Sequence, residues 1–95
     1  MTVQTSITHK LLVPITFEGK EHTEITLRRP KYKDLKATFK EDDADQLEFI
    51  TSRLSGWPID AVEEIDPYDM EDIREIIDFF SSRRASKTAK LPRNS

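Results

Sequence analysis

Between Asp43 and Phe80 the apolar residues recur at three- and four-residue spacings, which predicts helices. Ala44, Leu47, Ile50 and Leu54 share one face at 3.6 residues per turn and predict a helix over about 43–55. Gly56 then offers the left-handed position that ends a helix without a Cβ clash. Pro58 suits a first helical turn, where its missing N–H would be unpaired anyway, and Ile59, Val62 and Ile65 extend a short helix over about 58–65. Asp66-Pro67-Tyr68-Asp69 is a start signal: an N-cap, a proline at the first helical position, and an acid where the helix dipole favours one. Met70, Ile73, Ile76, Ile77 and Phe80 form the widest apolar stripe and predict a helix over about 67–82. None of these helices is long enough to be stable alone, so they must pack on one another.

Upstream the period changes to two. Leu11, Val13, Ile15 and Phe17 fall on one face, and Thr23, Ile25 and Leu27 on one face of a second run, with Gly19 between them. This predicts a hairpin over about 10–29. Pairing two odd-numbered sets across an unbroken ladder needs an odd number of loop residues, and a one-residue slip would turn the apolar face to water. Pro14 points to an edge, or to a place where its missing N–H is not needed. Residues 1–8 lack such patterning and are expected to be loose. Tyr32, Leu35 and Phe39 predict a short helix over about 31–40, with Lys31, Lys33, Lys36 and Lys40 outward. The expected fold is α+β. A β-hairpin packs on a small bundle of three to four short helices within one domain, residues 1–82, followed by a disordered basic tail over 83–95.

Composition and charge sharpen this picture. The 95 residues carry a low apolar fraction of 36%, so part of the chain is expected to stay unpacked or to complete its core with a partner. The net charge of −3 hides segregation: residues 1–40 carry +4, residues 41–80 carry −12 and residues 81–95 carry +5. An acidic helical unit repels phosphates, which disfavours nucleic acid as its partner. There is no Cys, and no run long enough for a membrane span.

The catalytic inventory is thin, and the chain is read as a non-enzyme. No nucleophile-elbow glycines surround any Ser, and two glycines build no phosphate loop. His9, His22 and Glu24 lie where they would meet across the strands, but no HxH or HxxxH spacing supports a metal. Both histidines are expected at the surface, the carboxylates at caps and exposed helix positions, and no metal or cofactor is expected. The candidate partner-binding residues are the aromatics Phe49, Phe79, Trp57 and Tyr68. Phe49 points away from its helix's stripe, and Phe79 sits at the margin of its own. Trp57, in the Gly-Trp-Pro turn, also suits a core position at a helix junction.

The order of signals resembles a known family. Ile25-Thr26-Leu27-Arg28-Arg29-Pro30 is followed by Lys33-Asp34-Leu35, then by Leu54-Ser55-Gly56-Trp57-Pro58, then by Ile65-Asp66-Pro67-Tyr68-Asp69 leading to Asp78-Phe79-Phe80. Over about residues 10–82 this is similar to the tail assembly chaperones of Mu-like and related contractile-tailed phages. The resemblance implies a small non-enzymatic protein of the infected host's cytoplasm, absent from the mature virion. Such a protein binds the tape measure protein, keeps it soluble and helps recruit tail tube subunits. The tail tube protein and a C-terminally extended form of the chain itself are further implied partners. The rival reading is a small winged-helix-like nucleic-acid-binding regulator using the Arg28–Lys40 segment and the basic tail, against which the −12 unit counts.

Overall fold

The structure is a computed structural model and describes residues 5–81. In chain order the elements are β1 (Ser6–Phe17), β2 (Lys20–Arg28), α1 (Tyr32–Phe39), α2 (Asp43–Ser55), α3 (Ile59–Val62) and α4 (Pro67–Phe80). The fold is α+β, an antiparallel hairpin followed by four helices. The predicted disordered tail over 83–95 lies outside the described residues, as do residues 1–4 of the segment expected to be loose.

The hairpin begins earlier than its period-two pattern predicts. Pairing runs from Ser6 opposite Arg28, and the Arg29 N–H reaches the Thr5 carbonyl at 2.8 Å. The loop is two residues, Glu18 and Gly19, both at positive φ (54° and 73°), as in a type I′ turn. The expected odd-length loop is therefore incorrect, and the reason is a break in the ladder. Lys10 pairs with Glu24 and Ile15 with His22, so four residues of β1 face the single Thr23 of β2. Three extra residues change the parity, and an even loop then keeps both apolar sets inward. Leu11, Ile15, Ile25 and Leu27 are buried and Phe17 half-buried, whereas Val13, inside the bulge, is 42% exposed. Opposite Ile15 the inner face carries His22, stacked on Phe17 with centroids 4.0 Å apart, rather than Thr23.

Helix ends follow local rules. Gly56 at φ 82° closes α2, its N–H bonded to the Ser52 carbonyl at 2.8 Å, and the Asp66 carboxylate accepts the Tyr68 N–H at 2.9 Å. Ile50 and Leu54 of α2, Ala61 and Val62 of α3, Ile65, and Ile73, Ile77 and Phe80 of α4 join the strand residues and Trp57 in one core. Ala44, in the first turn of α2, is exposed.

The inward face of α1 is turned away from the expected one: of the predicted Tyr32, Leu35 and Phe39, only Leu35 packs, half-buried, against the core. Tyr32 and Phe39 are 73% and 68% exposed, whereas Asp34 is fully buried and Thr38 nearly so. Ionic partners outside the helix decide the matter. Arg28 and Arg53 reach Asp34 from β2 and α2, a pairing that apolar spacing within α1 does not reveal.

Candidate partner-binding surface

Two carboxylates expected at caps or exposed positions are buried and fix the framework of the surface. Asp34 accepts two hydrogen bonds from Arg28 (2.8 and 3.0 Å), one from Arg53 Nε (2.6 Å) and one from the Lys31 N–H (2.7 Å). Those donors, the Arg28 guanidinium foremost, hold its carboxyl well below the usual carboxylate range although burial alone would raise it. One side chain thereby joins β2, the start of α1, and α2.

Asp69 does the same between α4 and β1. Its Oδ1 and Oδ2 accept the Leu12 N–H at 2.8 and 3.0 Å, Oδ2 accepts the Val13 N–H at 3.2 Å, and His9 Nε2 lies 3.0 Å from Oδ1. The break in the ladder frees these two N–H groups from β2, and Pro14 beside them has none to satisfy. Burial is the largest effect on this carboxyl and acts to raise it. The N–H of Leu12, the His9 ring and the N–H of Val13 together outweigh burial and leave it lowered.

His9, Asp69 and Asp72 each place one possible metal-ligating atom within 4.8 Å of the others, instead of the predicted meeting of His9, His22 and Glu24. Asp69 is already saturated by donors, so the group serves as a strand anchor. Both histidines, expected at the surface, are half-buried: the His9 side chain is 14% exposed, and the His22 ring packs against Phe17 and Trp57. Asp34 and Asp69, both ionised and donor-saturated, are not poised for proton transfer.

The four candidate aromatics fall in different places. Trp57 is 9% exposed and sits in the core against Phe17, with centroids 4.8 Å apart. Phe49 is half-buried on α2, which packs on β2, α1 and α3. Tyr68 (63% exposed) and Phe79 (39% exposed) both lie on α4, which packs on β1. Eleven residues are close to three full turns, so these two share one stripe of α4 with Asp72 and Glu75.

Where that stripe meets β1 there is a groove of about 420 Å³ lined by Ile7, His9, Asp72, Glu75, Ile76 and Phe79. Ile7, Ile76 and Phe79 give it apolar surface, and Asp72, Glu75 and His9 give it polar groups. Arg74, the one cation of α4, is paired elsewhere, with Glu71 (2.7 Å) and Asp78 (3.9 Å). Apolar periodicity marks Phe79 and Ile76 but gives no sign of the groove, which exists only because α4 crosses β1. No helix of the described residues is long and apolar enough to cross a membrane.

A family model described as phage tail assembly chaperone proteins, E, or 41 or 14, matches residues 8–82. No curated protein and no solved structure matches the chain significantly.

Proposed function

The chain belongs to the phage tail assembly chaperone family, and from that premise we propose that it binds the tape measure protein, keeps it soluble and helps recruit tail tube subunits. The family is not one of enzymes, and it points to tail proteins as partners. The match over residues 8–82 carries the reading, because it takes in all but the first two residues of β1 and the whole of every later element to α4. The exposed aromatics Tyr68 and Phe79, with the half-buried Phe49, are its contact residues for assembly partners; Trp57 is a core residue. The place of action is the cytoplasm of the infected host, before the virion is complete. The tail tube protein and a longer form of the chain are further partners.

Co-expression tests this. Tape measure protein produced with the chain should appear in the soluble fraction and co-purify with it, and produced alone should pellet. Equal solubility in both cases, without co-purification, would contradict the proposal.

A further inference from the structure

The hydrophobic core of this protein is left open along one seam. Ile7 on β1 and Ile76 on α4 are half-buried and packed against the core, and Phe79 beside them is 39% exposed. These three side chains are the apolar surface of the groove between β1 and α4. Its volume of about 420 Å³ lies within the usual range of about 300–1,000 Å³ for a binding cleft. Ile7 and His9 lie opposite Leu27 and Ile25, which are 0% and 1% exposed, so the groove opens onto the inward face of the hairpin. An apolar fraction of only 36% fits a core that a partner completes.

The charge beside that seam is negative. Asp72, Glu75, Ile76 and Phe79, spaced three, one and three residues apart, stand on one side of α4. Among the described residues no lysine or arginine pairs with Asp72 or Glu75, and Arg74 is engaged by Glu71 and Asp78. His9 Nε2 lies 3.0 Å from Asp69 Oδ1 and 3.9 Å from Asp72 Oδ2, so its closer partner is the strand anchor. The groove belongs in part to the stretch of residues 41–80 that carries −12, and the field there favours a cation.

We propose that this groove takes a cationic amphipathic helix of the protein that the chain holds, a stretch of the tape measure protein. Apolar side chains at helical spacing enter against Ile7, Ile76 and Phe79, and flanking lysine or arginine side chains meet Asp72 and Glu75. Seven residues of helix rise about 10 Å, and Asp72 to Phe79 is those same two turns. A helix suits the site better than a strand does. The β1 side of the groove is made by inward-facing side chains, and a helix arrives with its backbone hydrogen bonds already made. An extended segment would bring unpaired N–H and C=O groups into an apolar cleft. This rests on the chaperone reading and adds to it which segments of the partner are selected.

The experiment measures, by fluorescence anisotropy, binding of overlapping labelled peptides of the tape measure protein to the full chain at low and high salt. The peptides that bind should be those with net positive charge and an apolar stripe of helical spacing, and salt should weaken them. Glu75→Lys, at an exposed position, should weaken them at least about tenfold, and Glu75→Gln by less, with no change in melting temperature. A peptide with its basic residues changed to Glu should lose the wild-type chain and regain affinity for Glu75→Lys. Binding unchanged in Glu75→Lys, or confined to peptides of net negative charge, would overturn the proposal and leave the chaperone reading standing. So would capture of the intact tape measure protein without binding of any of its peptides. No capture of the intact protein would contradict the chaperone reading, and the proposal with it. Peptide affinity at least tenfold tighter once the five basic residues from Arg83 to Arg93 are changed to Gln would make the chain's own C-terminal segment the occupant. Affinity that falls as the chain is concentrated would make a second copy the occupant, and either result would overturn the proposal.

Discussion

The Asp69 carboxylate on α4 accepts the backbone N–H of Leu12 on β1 at 2.8 Å, across 57 residues of sequence. The strand's break and the helix's position are thus one feature. The bulge presents N–H groups with no partner on β2, and the first turn of α4 supplies the acceptor. Removing it by Asp69→Ala should cost roughly 3 kcal/mol, since two buried donors lose a charged acceptor. A domain of this size loses about 4–8 °C for each kcal/mol, so thermal melting should fall by more than about 10 °C. Asp69→Asn keeps one acceptor oxygen and should fall by less.

Acid sensitivity follows from the two buried carboxylates. Asp34 and Asp69 both have lowered folded-state pKa values, below the unfolded value of about 3.9. Groups of that sign contribute stability that is fully present above the unfolded pKa and is lost as pH falls toward the folded one. Melting temperature should therefore be flat from about pH 7 to about pH 5 and drop below about pH 4. Asp34→Asn, with less to lose, should melt lower at pH 7 and show a shallower acid drop. A parallel acid profile in Asp34→Asn would count against the clamp.

The hairpin turn carries a residue that dislikes its conformation. Glu18 sits at φ 54°, a region that costs an ordinary side chain roughly 1–2 kcal/mol. Asn tolerates it and forms the Asn-Gly pair that a type I′ turn favours, so Glu18→Asn should raise the melting temperature by a few degrees.

The parts of the fold that were legible in the sequence are those set by neighbours along the chain. The stripe of Ile73, Ile77 and Phe80, the Gly56 stop and the Asp66-Pro67 start all follow from spacing and backbone chemistry within one helix. The α1 face and the strand register were not legible, because remote partners decide them. Asp34 is pulled inward by arginines on β2 and α2, and the bulge is held open by a helix far along the chain. Pro14 was the one local hint of the bulge. For the candidate surface, Tyr68 and Phe79 share a face by spacing alone, while the groove beside them required the packing of α4 on β1.

Folding and partner capture should separate by residue. Leu54 is 3% exposed, and Leu54→Ala should cost about 2–5 kcal/mol through lost transfer energy and a cavity. Tyr68→Ser, at a 63% exposed position, should barely change melting yet weaken capture of the tape measure protein by more than about 1 kcal/mol. Phe49→Ser, half-buried, should fall between them in stability. Capture unchanged in Tyr68→Ser would remove that residue from the contact surface.

The most direct measurement of the chaperone role follows light scattering as tape measure protein is diluted from denaturant into buffer containing the purified chain. The proposed function predicts that scattering is suppressed as the chain approaches stoichiometric excess, and that the two proteins then elute together in gel filtration. Aggregation as fast with the chain as with an equal mass of an unrelated acidic protein would contradict it.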